Sequence, residues 1–203
     1  MFIVFEGLES SGKSTQIKSL CDNLKRQQVD VEVVAEPGTT QLGQAVRQLV
    51  LHKDIPICPL AELLLYEAAR AQLTAQRIQP ALQRGKVVIA DRYTLSSLAY
   101  QGYGRSLDLD KLRALDAWAT GGLAPNLTLY FDILPEEMRK RQGAHHRPDR
   151  LEKEDAVFFE RVRQGYLKEL KRVEGAHCFD GSLSAEVLQQ AILRLVIPLL
   201  DDA

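Results

Sequence analysis

Cysteine is scarce in this chain, tryptophan scarcer, and charges of the two signs nearly cancel. Cys21, Cys58 and Cys178 are the three cysteines, odd in number and widely spaced, with no CxxC pair or neighbouring histidine at ligand spacing. That argues against a disulfide framework or a thiolate metal site and predicts three free, buried thiols. Twenty-six Lys and Arg stand against 27 Asp and Glu, a net charge of −1. Without a broad cationic field, a coat for a nucleic-acid polymer or a membrane surface is not expected, and any anion has to be held by a local cluster. No apolar run approaches the roughly 20 residues needed to cross a bilayer. The opening residues Met1 to Gly7 lack the basic segment and cleavage site of a signal peptide. The expectation is a cytoplasmic protein without repeats, linkers or low-complexity segments.

What is present is ordinary in amount and ordered in pattern. A hydrophobic content of 45% over 203 residues suits one soluble domain spanning 1–203. Phe2 to Phe5, Val31 to Ala35, Val87 to Ala90 and Leu127 to Phe131 are short and almost unbroken apolar runs, as strands covered on both faces of a parallel sheet read. A weaker strand is expected around His177 to Phe179. Helical stretches alternate with them: Lys13 to Gln27, Gln41 to Leu51, Leu60 to Arg84, Leu109 to Thr120, Asp155 to Arg172 and Ser184 to Leu200. Gly85 stands where a left-handed glycine ends the third helix. The alternation predicts an α/β fold, a parallel five-stranded sheet with helices on both faces. Gln142 to Pro148 is the predicted flexible loop, within a short basic lid at about 139–152.

Gly7-Leu8-Glu9-Ser10-Ser11-Gly12-Lys13-Ser14, followed by Thr15, fills every fixed position of G-x-x-x-x-G-K-[ST]. It follows a predicted strand and opens a predicted helix, the setting the motif requires. The glycines let the loop turn so that successive backbone N–H groups face phosphate oxygens, and the helix adds its positive end. Lys13 is placed for the β- and γ-phosphates of a nucleoside triphosphate, and the Ser14 hydroxyl for Mg²⁺. So early a loop in so short a chain leaves no room for motor machinery. It suits a kinase that moves the γ-phosphoryl of ATP to a small acceptor.

Here the sequence closely resembles the thymidylate kinases, P-loop nucleoside monophosphate kinases that phosphorylate dTMP with ATP. The likeness runs through FEGLESSGKST (Phe5 to Thr15), EPGTT (Glu36 to Thr40), LLLYEAAR (Leu63 to Arg70), DRY (Asp91 to Tyr93), SSLAYQG (Ser96 to Gly102) and DRLE (Asp149 to Glu152). It implies that Asp91 holds Mg²⁺ partly through water and that Arg92 bridges the donor and acceptor phosphates. It further implies that Tyr66 stacks on thymine and Arg70 donates to its O4. An aromatic and a guanidinium one helical turn apart suit that task, though a core tyrosine beside a solvated arginine reads the same way. Ser96, Ser97, Tyr100 and Gln101 are implied contacts to base and sugar, with Tyr100 excluding a 2′-hydroxyl. Glu9 is turned toward the 3′-hydroxyl of dTMP in this reading. Glu36 and Pro37 lie near the acceptor phosphate, and Arg47 is a candidate clamp on it. A homodimer is the family's common state, and the apolar stretch Leu60 to Leu65 permits it.

Arg139, Lys140, Arg141, His145, His146, Arg147 and Arg150 concentrate positive charge in an otherwise balanced chain. A solvated basic helix end looks the same. The cradle has no arginine among Leu8, Glu9, Ser10 and Ser11, and members of the family with that feature take a catalytic arginine from the lid. The expectation is that Arg141, Arg147 or Arg150 closes over the transferring group. Three departures from the family pattern are Ala35 where arginine is usual, Ser10 where glycine is frequent, and Asn126 where aspartate is frequent. The first predicts weaker acceptor-phosphate binding, the second a stiffer loop, and the third little effect. The alternatives are a kinase for another nucleoside monophosphate or deoxynucleoside, and a catalytically weak nucleotide-binding paralogue.

Overall fold

The computed structural model describes residues 1–52, 54–143 and 146–201. Among them five parallel strands form one sheet in the order β2-β3-β1-β4-β5: β1 Phe2–Gly7, β2 Val31–Ala35, β3 Val87–Asp91, β4 Leu127–Asp132 and β5 Ala176–Asp180. All four expected strands and the weaker fifth are therefore present, each within two residues of its expected ends. The sheet is α/β in class, with α1 Lys13–Arg26, α2 Gln41–Leu51, α3 Pro59–Leu73, α4 Gln79–Gln83, α5 Thr94–Ser97, α6 Leu109–Thr120, α7 Pro135–Gln142, α8 Ala156–Leu170 and α9 Ala185–Asp201.

Alternation along β1 divides the interior. Ile3 and Phe5 face α1 and α9, packing on Leu20, Leu24, Ile192 and Val196. Phe2 and Val4 face the other way, into Leu73, Ile78 and Ala81 of the α3–α4 segment and Tyr93. Side chains with period two thus fill both layers, which is why the strand reads as continuously apolar. Leu8 after β1 and Tyr130 of β4 continue into a third cluster with Tyr100 and with Phe158, Phe159 and Tyr166 of α8.

Several expectations need correction. The helix expected over Leu60 to Arg84 is continuous but changes pitch: Thr74–Ile78 is π-helical before Pro80. Proline has no N–H for the carbonyl four residues back, so the ladder must shift there. The helical segment Thr94–Gly104, π-helical from Leu98, and the helix α7 were not anticipated. Gly102 and Gly104 lower the propensity of the first, yet serve close packing: a Cβ on Gly104 would lie 2.7 Å from the Phe158 ring. The cysteines are free, but only Cys21 is buried; Cys58 precedes α3 and Cys178 lies on edge strand β5, both exposed. Gly85 does turn left-handed, at φ +74°. Asn126 closes the sheet's start, its side-chain oxygen accepting from Phe2 N at 2.7 Å. No helix of the described residues is long and apolar enough to cross a membrane. Ala144 and His145, within the expected lid, lie outside the described residues.

Candidate active site

Parallel strands put their carboxyl ends, and the turns that follow, along one edge of the sheet. The order reverses at β1, whose neighbours are β3 and β4, so a crevice opens beside its end, where open α/β sheets take ligands. A cleft of about 360 Å³ lies there. The cradle follows β1 directly. Gly7 is at φ +145°, and a Cβ on it would meet the Phe131 carbonyl oxygen at 2.7 Å, so no other residue fits. Ser10 takes the left-handed conformation too, at φ +57°, one that glycine adopts without the clash a Cβ brings.

Lys13 is buried and donates to the carbonyls of Gly7 at 3.1 Å and Leu8 at 2.8 Å, folding its ammonium into the loop. Burial, reinforced by Arg92, lowers its pKa to about 8. Glu9, Ser10, Lys13 and Ser14 line the cleft. Gly7, Leu8, Ser11, Gly12 and Thr15 do not line it: the Leu8 side chain is buried in the core and Thr15 is exposed. Ser11 Oγ is buried without a hydrogen-bond partner among the described residues.

The turn after β3 brings Asp91 and Arg92 to the same place. Arg92 adopts φ +75°, uncommon for a side chain of its size, and its amide donates to the Phe5 carbonyl at 2.9 Å. Its guanidinium meets Glu9 Oε1 at 2.6 Å, Tyr166 OH at 3.0 Å and Ser96 Oγ at 3.2 Å. Tyr100 donates to the other Glu9 oxygen at 2.8 Å. Burial opposes ionisation of Glu9, but Arg92 and Lys13 outweigh it and hold the carboxyl below its ordinary range. Neither the Asp91 carboxylate nor the Ser14 hydroxyl has a protein hydrogen-bond partner among the described residues, and both line the cleft.

The opposite wall is built by α2, α3 and the 94–104 helix. Glu36, Pro37, Arg47, Tyr66, Arg70, Ser96, Ser97, Tyr100 and Gln101, all expected acceptor contacts, line it. Arg47 donates to the Pro37 carbonyl at 3.2 Å. Tyr66 and Arg70 share a face of α3, but Arg70 is buried among Glu36, Glu67 and Asp116 rather than solvated. Burial raises Glu36 to about 7 despite Arg70. Gln101 gives its side-chain N–H to buried Glu62 at 2.7 Å.

The basic segment divides. Arg141, at the end of α7, donates to the Ser10 carbonyl at 3.3 Å and the Gly181 carbonyl at 3.0 Å, against the cradle. Arg150 turns to α3 and α2, pairing with Glu62 at 2.6 Å and donating to the Val50 carbonyl at 2.7 Å. Arg147 is exposed, and none of Arg141, Arg147 and Arg150 lines the cleft.

Some site residues escaped the sequence reading. Glu6, buried in β1, accepts from Tyr93 N at 2.9 Å, Ser96 Oγ at 2.6 Å and Tyr166 OH at 3.1 Å, locking the DRY turn to the central strand. A carboxylate directly after the apolar run Phe2 to Phe5 and before the first cradle glycine is the signal. Asp149, Leu151 and Glu152 of the DRLE stretch also line the cleft, their individual roles left open by the resemblance, and so does Leu51, whose local pattern does not distinguish it.

The family model described as thymidylate kinase matches residues 5–192. A thymidylate kinase of Kosmotoga olearia is 41% identical over 195 residues, covering 96% of this chain and 94% of that protein. One from Thermoanaerobacter sp. strain X514 is 45% identical over 196 residues, covering 96% of each. Another, from Deinococcus radiodurans, is 48% identical over 167 residues, covering 82% of this chain and 81% of that protein.

Proposed function

The chain belongs to the thymidylate kinase family, and from that premise we propose that it transfers the γ-phosphoryl group of ATP to dTMP, giving dTDP and ADP. One observation carries the reading: a single cleft joins the cradle of Lys13 and Ser14 to a wall of Tyr66, Arg70 and Tyr100, with Arg92 between them. Tyr66 offers a ring for a pyrimidine, and Tyr100, fixed by Glu9, closes the space beneath a deoxyribose. Glu9 presents an ionised acceptor to the 3′-hydroxyl. Arg92 and Arg47 are the cations for the acceptor phosphate.

No general base is needed, because a phosphate oxygen of dTMP is ionised at neutral pH. That oxygen forms the new P–O bond, and the bond from the γ-phosphorus to the bridging β–γ oxygen breaks, leaving its electrons on ADP. Alignment and neutralisation of charge do the rest. Lys13 leaves its two carbonyls for the β- and γ-phosphates, and the raised negative potential there restores its proton affinity. Arg141, already against Ser10, is the lid arginine best placed over the transferring group, with the segment at about 139–152 as the lid that excludes water.

The oxygens of Ser14 and Asp91 suit Mg²⁺, a hard cation that takes few protein ligands and completes its shell with phosphates and water. When bound, Mg²⁺ supplies charge neutralisation on the phosphates.

A cytoplasmic homodimer is the form we propose. Leu60 and Leu64 on α3 and Trp118 on the adjoining α6 are 56%, 48% and 85% exposed, an apolar surface suited to a second copy. The function is tested by following ADP release with Mg-ATP and dTMP, dUMP, dCMP or thymidine. A clear preference for dTMP is expected; a flat trace with all four, or a preference for another acceptor, refutes it.

A further inference from the structure

Arg70 is 1% exposed, yet it lines the acceptor wall. A guanidinium has five N–H donors. Nε serves the Glu36 carboxylate at 2.9 Å, and Nη2 donates to the Tyr93 carbonyl at 3.1 Å. Nη1 faces Glu67 Oε1, Asp116 Oδ1 and, at 2.8 Å, Ser97 Oγ. Ser97 gives its own proton to Glu67 at 3.0 Å and still accepts from Nη1 through a lone pair, so Glu67, Asp116 and Ser97 share the two hydrogens of Nη1. One Nη2 N–H is left without an acceptor among the described residues.

Three buried carboxyl groups around one cation cannot all be ionised cheaply, so the cluster keeps a proton near neutral pH. Burial raises Asp116 to about 8 against the attraction of Arg70, and the neighbouring Glu67 and Glu36 carboxyl groups add to the rise. Glu36 and Glu67 lie in stretches that already carry the family resemblance. Asp116 comes from α6, which none of the quoted motifs touches.

We propose that Asp116 is a positioning residue for acceptor selectivity: by holding Nη1 of Arg70, it keeps the remaining Nη2 N–H toward a base carbonyl in the cleft. The proposal rests on the dTMP reading above and adds the origin of discrimination against 4-aminopyrimidines. A donor facing a carbonyl makes a hydrogen bond. Facing an amino group, it meets another donor, and both are left unpaired and desolvated. An arginine free to swing would relieve that clash; one held at Nη1 by α6 cannot.

The proton on Asp116 makes the test selective. Asp116→Asn keeps an oxygen acceptor at neutral pH, whereas Asp116→Leu keeps the branched shape, with bulkier ends, and removes the acceptor. Steady-state kinetics with Mg-ATP and either dTMP or dCMP at pH 7 read the outcome. In Asp116→Leu the dTMP KM should rise about tenfold and the dTMP-over-dCMP ratio of kcat/KM should fall about tenfold, as for one lost oriented hydrogen bond. Its kcat should stay within about threefold, and Asp116→Asn should behave as wild type. A merely structural role would lower activity toward both acceptors alike. An unchanged ratio in folded Asp116→Leu, while Arg70→Lys loses it, overturns the role of Asp116 alone. If the Leu variant does not fold, Asp116→Ala is read instead: a retained ratio in Ala, or a lost ratio in Asn, overturns the proposal. A wild-type enzyme without dTMP preference overturns the parent reading and this one with it.

Discussion

Arg92 Nη2 lies 2.6 Å from Glu9 Oε1, and this one ion pair joins the turn after β3 to the phosphate cradle after β1. The backbone supports it at a cost. A left-handed arginine at φ +75° stores about 1–3 kcal/mol, offset by the amide bond to Phe5 and by Glu6 beneath the turn. Arg92→Ala is expected to stay folded and to lose about 10³-fold or more in kcat. Glu9→Gln leaves Arg92 without its charged partner and should raise the dTMP KM about tenfold. Kinetics of both variants, with thermal melts as the control for folding, check this.

Lys13 sets a pH limit. Its native pKa of about 8 lies below the ordinary 10.5, so the free enzyme loses the phosphate-binding ammonium as pH rises through 8. The kcat/KM for ATP, which reports the free enzyme, should therefore fall above about pH 8. Between pH 8 and 10.5 the unfolded chain binds more protons than the native one, so this residue makes stability rise with pH there. Lys13→Met should melt no lower than wild type at pH 7 and be inactive.

Glu36 acts in the opposite sense at lower pH. Its native pKa of about 7 exceeds the ordinary 4.5, so the native state holds more protons across that window and stability falls as pH rises through it. The penalty is on the order of 1–3 kcal/mol above pH 7. Urea unfolding of wild type and Glu36→Gln at pH 5 and pH 8 should show the variant losing less stability on going to pH 8. An equal loss in both would refute the assignment.

Arg141 and Arg150 should separate kinetically. Arg141 touches the cradle at Ser10, so Arg141→Ala is expected to lower kcat about 10²-fold or more with the dTMP KM nearly unchanged. Arg150 is tied to Glu62 and Val50 on the acceptor side, so Arg150→Ala should act mainly on the dTMP KM. The reverse pattern would exchange their roles.

Trp118, 85% exposed, tests the assembly. Wild type should elute at about twice the 22.8 kDa chain mass, and Trp118→Arg should shift it to the monomer. Light scattering on the eluting peak gives the answer directly.

Much of the site was readable because its requirements are local. A phosphate loop needs glycine at Gly7, where a Cβ collides with Phe131, and a lysine and serine at the start of the next helix. Strands buried on both faces announce themselves in four or five residues. The helix at Thr94–Gly104 is not legible locally because its glycines serve tertiary contacts: Gly102 packs on Leu109, and Gly104 on Phe158, a neighbour 54 positions along the chain. The exposure of Cys58 and Cys178 is hidden for a related reason: Cys178 lies on edge strand β5 and Cys58 just before α3, and residue type reports neither place.

By itself, then, the sequence determined the phosphate-binding turn, the alternation of strand and helix, and the family to which the chain belongs, since each is written in short stretches governed by backbone sterics and side-chain periodicity. Tertiary structure alone decided the strand order, the burial of Glu6 under the Arg92 turn, and the gathering of Glu36, Glu67 and Asp116 around Arg70. Those groups lie far apart in sequence, and their protonation depends on how much water and how many charges the fold leaves beside them.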